Sequence, residues 1–247
     1  MKMVIRTDAS HQIGTGHVMR CLTLAKALVE KGTDVQFICR NHQGNLIDKI
    51  KSEGFKVYRL TTRPDERLPN GHLAHAKWLG VTQQQDAQDC QPILEKIKPD
   101  WLIVDHYAID QAWQQKLKSD YQKLMVIDDL GDRDHLSDLL LDQNYRSTQK
   151  KYQNRVPNHC KVLAGSNYAL LRPEFAQWRE TSLKRRSQIQ SIKTILITLG
   201  GVDADNVTQQ VLTQLTQTNL NPLTEIIVIM GATAPHLVSV QQQAQTM

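Results

Sequence analysis

Residues Asp8 to Arg20 read D-A-S-H-Q-I-G-T-G-H-V-M-R. They follow a short apolar run at Met3 to Thr7 and lead into a stretch that carries Val18, Leu22, Ala25, Leu28 and Val29 on one helical face. A strand, a polar turn holding Gly14 and Gly16, and an amphipathic helix make one βα unit. Gly32 is placed to end that helix. Glycines in such a turn let the backbone approach a ligand closely, and the free N–H groups of the helix favour an anion. The turn is neither standard phosphate-binding fingerprint. Met19 stands where G-x-G-x-x-G needs its third glycine, and the Lys-Ser/Thr pair of a P-loop is missing. His17 follows the turn directly. A histidine beside a helix N-terminus is biased toward its neutral form and can accept a proton, and the bland alternative is a histidine that caps the helix or packs in a polar pocket.

The same grammar extends outward. Further strands are expected at Val35 to Cys39, Phe55 to Leu60, Trp101 to Asp105, Leu124 to Asp128 and Leu139 to Leu141, with helical stretches at Leu46 to Ser52 and Pro92 to Ile97. Alternating strands and helices predict an α/β fold around a parallel sheet. From about Thr61 to Gln85 there is no firm period, and loop plus a short helix is expected. Around Gln177 to Ser191 the chain turns polar and basic before a new strand at Ile195 to Ile197. This places a first domain at 1–190 and a second at 191–247, with a helix at Val207 to Leu215, a strand at Ile226 to Met230 and a helix from Pro235. Two strands and two helices cannot cover both faces of a parallel sheet. The second domain therefore reads as incomplete, and the chain is expected to continue past Met247.

Composition narrows the function. The 247 residues are 40% hydrophobic and 22% charged, the make-up of a globular protein. The net charge of +5 is densest at Lys184, Arg185 and Arg186, but aromatics are only 5% of the chain and are not interleaved with the basic residues, which argues against nucleic acid. A small anionic substrate fits better. Cys21, Cys39, Cys90 and Cys160 never form a C-x-x-C pair, so reduced thiols in the cytoplasm are expected rather than zinc or disulfides. Arg6 and Asp8 close behind Met1 give no expectation of a leader, and no apolar run is long enough to span a bilayer, so no membrane partner is expected. Oligomeric state is left open.

Other strand ends carry chemistry. Asp105, His106 and Tyr107 follow Leu102 to Val104 and reach the same carboxyl edge as the glycine turn. There Tyr107 can donate to a sugar or phosphate oxygen, and Asp105 can orient a neighbour or cap the next helix. Asp128 and Asp129 close another strand; paired carboxylates can bind a metal, but no third oxygen ligand is evident, and no metal is expected. Gly200, Gly201 and Asp203 form a second strand-turn-helix junction, read either as a phosphate contact or as a tight turn with solvated acids, with Asn206 as N-cap. Arg20 and Arg172 are candidate anion or structural contacts, while His72 and His75 read as surface histidines.

Five segments in order resemble one family: R-T-D-A-S-x-x-I-G-T-G-H-V-M-R-C-L-T-L-A from Arg6, D-H-Y at Asp105, I-D-D at Ile127, Y-A-L-L-R-P-E-F at Tyr168 and L-G-G-V-D at Leu199. They are similar to the UDP-2,4-diacetamido-2,4,6-trideoxy-β-L-altropyranose hydrolases of pseudaminic acid biosynthesis. The resemblance implies a glycosyltransferase-B type fold with two Rossmann-like domains facing a cleft. It also implies a metal-independent hydrolysis that needs no cofactor and releases UDP and the free sugar, and attack by a water on the face opposite UDP would make it inverting. In it His17 is the general base and Tyr107 lines the site. Asp8, Gly14, Gly16, Arg20, Asp105, Arg172, Gly200, Gly201 and Asp203 are the further substrate-binding candidates, with UDP held largely by the second domain. Two rivals keep the fold and change the role: a glycosyltransferase that moves the sugar to an acceptor, and a noncatalytic nucleotide-sugar binding module.

Overall fold

The computed structural model describes residues 1–62, 73–232 and 234–246. They divide into two compact units, Met1–Ile13 with His17–Leu170, and Gly14–Gly16 with Leu171–Met247. His72 and part of the loop expected at 61–85 lie outside the described residues; the short helix expected there is a single 3₁₀ turn, Ala76–Leu79.

The first unit alternates strand and helix as far as its fifth strand: β1 Lys2–Thr7, α1 Gly16–Val29, β2 Asp34–Arg40, α2 Ile47–Ser52, β3 Lys56–Leu60, α3 Gln83–Ile97, β4 Trp101–Asp105, α4 Gln111–Lys116 and β5 Lys123–Ile127. β6 Leu139–Asp142 and β7 Lys161–Ala164 complete a seven-stranded sheet in the order β3-β2-β1-β4-β5-β6-β7, and every pairing in it is parallel. Period-two alternation sorts the strand residues onto two faces. Val4, Ile38, Leu102, Val104, Leu124 and Val126 pack with Leu94 and Ile97 of α3 and Trp113 of α4. Met3, Ile5, Phe37, Cys39, Ile103 and Ile127 pack with Val18, Cys21, Leu22 and Ala25 of α1 and Ile47 and Ile50 of α2.

Two elements exceed the sequence expectation. α3 starts nine residues before Pro92, at Gln83, where Thr82 accepts a hydrogen bond from the Gln85 amide at 3.1 Å. Its inward face carries Asp86, fully buried and ion-paired, where a helical period would show an apolar residue. β7 is four residues long and is ordered by pairing with β6. The cap of α4 is Asp110, which accepts from the Ala112 amide at 2.8 Å; Asp105 does not take that role.

The division at Leu170 and Leu171 differs from the expected boundary at 190–191. Helix α5, Pro173–Ser187, buries none of its residues. The second unit continues with β8 Thr194–Ile197, α6 Val207–Thr216, β9 Glu225–Val228 and α7 Leu237–Gln245. β8 and β9 pair in parallel, and Ile197, Leu212 and Val240 form their core with the helices. Leu196 and Ile227 point the other way and are exposed. Among the described residues no helix is long and apolar enough to cross a membrane.

Candidate active site

The strand order reverses between β1 and β4: β2 and β3 build outward on one side and β5 to β7 on the other. Crossovers leaving such neighbours diverge, which opens a crevice at their carboxyl ends, where open α/β sheets take their ligands. Thr7 is in register with Asp105 at that edge. Gly14, at φ +80°, occupies the left-handed region that glycine adopts without strain, and a Cβ at Gly14 or Gly16 would meet nothing within 4 Å. The turn delivers His17 to the first turn of α1.

Asp105 organises the centre. Its carboxylate is fully buried and receives His17 Nδ1 at 2.5 Å on one oxygen. Arg20 donates from Nε to the other oxygen at 2.6 Å and from Nη2 to the first at 2.7 Å. The Cys21 thiol adds a donor at 3.4 Å. Burial pushes the Asp105 carboxyl up, but His17 and Arg20 outweigh it and hold the group well below the usual carboxylate range. An ionised carboxylate only accepts, so Nδ1 carries its proton toward Asp105. Arg20 Nη2, 3.3 Å from the same nitrogen, is then a close approach and not a second hydrogen bond. With Nδ1 turned to Asp105, Nε2 makes no hydrogen bond to another described residue and is the ring nitrogen left to exchange a proton with a ligand.

Aromatic side chains wall this imidazole. The Tyr107 ring meets His17 edge to face at a centroid distance of 4.5 Å and stacks with Trp78 at 5.7 Å. His75 lies 4.2 Å from Trp78 and 5.5 Å from Tyr107. His75 is therefore half-buried against the site rather than a surface histidine. Tyr107 gives its hydroxyl proton to Asp129 Oδ1, so that proton is already engaged and is not free for a sugar oxygen. Burial and this bond push the phenol's pKa up.

The other expected site residues are placed as follows. Asp8 is fully buried and is held by Arg6 at 2.6 Å and the Arg40 amide at 2.6 Å. Its second oxygen lies 3.3 Å from His106 Nε2 and 3.5 Å from His42 Nε2, contacts without hydrogen-bond alignment. Burial pushes the Asp8 carboxyl up, but Arg6 and the two histidines hold it well below its ordinary range. Asp8 thus has no open surface for a ligand and supports the β1 edge from within. Asp128 and Asp129 point apart, Asp128 to Arg133 at 2.9 Å and Asp129 to Arg20 at 2.8 Å. Among the described residues no three His, Cys, Asp or Glu side chains group as a metal would require.

In the second unit, Arg172 precedes α5 with its guanidinium 5.4 Å from the Phe175 ring centroid. Gly200 has φ +87°, followed by Gly201. Asp203 accepts from the Val207 and Thr208 amides at 3.0 and 2.9 Å, so a carboxylate already occupies the start of α6. Asn206 stands at the N-cap position but makes no side-chain capping bond.

Sequence reading did not assign Asp129, Trp78 or the buried Arg6–Asp86–Arg40 network to the site. In that network Asp86 receives Arg6 at 2.7 Å, Arg40 at 2.8 Å and Trp113 Nε1 at 2.9 Å. Charged residues inside an apolar period were the available signal.

These features define an α/β protein of glycosyltransferase-B type. The fold matches MurG of Acinetobacter baumannii with a TM-score of 0.55 at 13% identity, over 98% of this chain and 63% of that one. It also matches UDP-GlcNAc 2-epimerase from Neisseria meningitidis, solved with UDP-GlcNAc bound, with a TM-score of 0.50 at 12% identity, over 100% of this chain and 70% of that one. In sequence the chain is 29% identical over 247 residues to the UDP-2,4-diacetamido-2,4,6-trideoxy-β-L-altropyranose hydrolase of Campylobacter jejuni, covering 99% of this chain and 75% of that protein. No protein-family model matches the chain.

Proposed function

We propose that this protein hydrolyses a UDP-linked diacetamido-trideoxy sugar, UDP-2,4-diacetamido-2,4,6-trideoxy-β-L-altropyranose, to UDP and the free sugar, as a step of pseudaminic acid biosynthesis. The observation that carries the reading is the 2.5 Å contact of His17 Nδ1 with Asp105, which orients Nε2 as a proton acceptor at the switch-point edge of the sheet. The likeness to the C. jejuni hydrolase supports the substrate and the reaction class.

In the mechanism, a water lies against His17 Nε2. The imidazole takes one proton as the water oxygen forms its bond to the anomeric carbon, and the bond from that carbon to the UDP oxygen breaks on the opposite face. The product sugar has the inverted configuration, and UDP departs as an anion. Asp105 faces the imidazolium formed in this step, and Arg20 keeps Asp105 ionised and in place. UDP is already a stabilised leaving group, so backbone N–H groups and helix dipoles supply the electrostatic help without a metal or cofactor. Gly14 and Gly16 leave room for close approach, while Gly200, Gly201 and Arg172 are the second unit's candidate nucleotide contacts. Asp8 and Asp105 support the framework of the first unit's sheet edge, and Asp203 caps the start of α6 within the second unit. We place the reaction in the cytoplasm, in keeping with four free cysteines.

The test is an acceptor-free assay on purified protein, with the products followed by NMR from the first turnover. Release of UDP together with the inverted free sugar supports hydrolysis. Release that begins only when an acceptor is added makes the protein a transferase. His17→Ala should lower kcat by roughly 10²-fold or more with substrate binding retained; equal rates would return His17 to a structural role.

A further inference from the structure

We propose that Asp129 is a positioning residue that fixes His17 through two separate arms, one carboxylate oxygen on Arg20 and the other on Tyr107. Asp129 Oδ2 receives Arg20 Nη1 at 2.8 Å, while Oδ1 takes the Tyr107 hydroxyl proton. Arg20 in turn grips Asp105, which holds His17 Nδ1, and the Tyr107 ring meets the imidazole edge to face at a centroid distance of 4.5 Å. One carboxylate therefore ties the polar hold on the imidazole to its aromatic wall.

Asp129 is built to be rigid. Its carbonyl accepts from Lys151 Nζ at 2.7 Å and from Asn144 Nδ2 at 3.3 Å. The neighbouring Asp128 accepts from the Leu130 and Gly131 amides at 3.3 and 3.0 Å and pairs with Arg133. A flexible acid on a strand end would serve as a turn former; this one has both its main chain and its carboxylate committed. With each oxygen engaged, it acts on a ligand only through its partners. Arg20 alone could pivot between carboxylates, and Tyr107 alone could rotate about its χ angles. Joined at Asp129, each restrains the other, and such supporting contacts govern how well a reacting group is aimed.

The role of Asp129 in turnover rests on the hydrolase reading, so the experiment has a readout that does not. Full-length protein labelled with ¹⁵N at histidine should show a downfield, slowly exchanging Nδ1 proton for the His17–Asp105 bond, assigned by its loss in His17→Ala. In Asp129→Asn that proton should shift upfield or exchange into water. kcat should fall on the order of tenfold to a hundredfold, with KM changed less than about twofold. Tyr107→Phe removes one hydroxyl and should move the same resonance by a smaller amount. An unchanged His17 resonance in Asp129→Asn overturns the proposal, as does a shifted resonance with undiminished kcat. Should Asp129→Asn fail to fold, an unchanged resonance in Tyr107→Phe overturns it equally. A wild-type protein that turns over no UDP-sugar would remove the proposed reaction, while the resonance still reports on the positioning.

Discussion

Replacing Asp105 with Asn keeps the shape of the side chain and removes its charge, which tests whether this carboxylate sets the tautomer of His17. Three nitrogens converge on it at 2.5, 2.6 and 2.7 Å. An amide has one oxygen to offer them. If that oxygen stays with Arg20, the amide N–H₂ faces His17 Nδ1, which must then accept; the ring proton moves to Nε2, and the base is lost. If the oxygen turns to His17, the N–H₂ group opposes the guanidinium. Each alternative forfeits a charge-assisted hydrogen bond worth about 1.5–3 kcal/mol. At about 1.4 kcal/mol per decade this lowers the fraction of competent enzyme, and so kcat, by roughly 10- to 150-fold. KM should stay nearly constant, because Asp105 is fully buried and reaches a ligand only through His17 and Arg20. Initial rates of UDP release by wild type and Asp105→Asn, beside circular-dichroism melts to confirm folding, measure this directly. A folded variant with kcat within twofold of wild type would refute the assignment of His17 tautomer to Asp105.

Two further outcomes follow from the same geometry. In Asp8, Asp105 and Asp128 burial works against ionisation, but Arg6 with His106 and His42, His17 with Arg20, and His135 with Arg133 outweigh it, so each folded pKa lies below its unfolded value. Their stabilisation is therefore complete above the unfolded pKa of about 3.9 and drains away as pH falls below it, at about 1.4 kcal/mol per pH unit for each proton taken up. Urea midpoints measured from pH 6 down to 3 should change little to about pH 4.5 and fall steeply below about pH 4, less steeply in Asp105→Asn; an identical slope in the two proteins would contradict the linkage. At Gly14, where φ is +80° and the space is open, alanine should cost only about 1 kcal/mol. At Gly80, with φ +75°, a Cβ would come within 2.8 Å of His42 Cε1 beside buried Asp8, so Gly80→Ala should lower Tm further than Gly14→Ala; the reverse order would show that His42 yields freely.

The first βα unit was legible because its signals are local. The apolar period of α1 is complete within Val18 to Ala25, and Gly14 and Gly32 both take the positive φ that their places in the turn and helix end require. The strands β1, β2, β4 and β5 announce themselves as β-rich runs of five residues or more. β7 and the first two turns of α3 do not. The former is a four-residue strand ordered by β6, and the latter hides behind Asp86, a charged residue at a core position compensated by Arg6 and Arg40 from two different strands.

Local sequence thus determined the alternating α/β grammar and the delivery of His17 and Asp105 to a shared sheet edge, since period and turn chemistry act over a few residues. Tertiary structure alone decided that Asp105 takes Arg20 and His17 together, that Asp129 claims the Tyr107 proton, and that Trp78 and His75 stand over the site. Those pairings join residues up to 88 positions apart. Their energies depend on distance and burial within the folded sheet, which residue spacing along the chain does not encode.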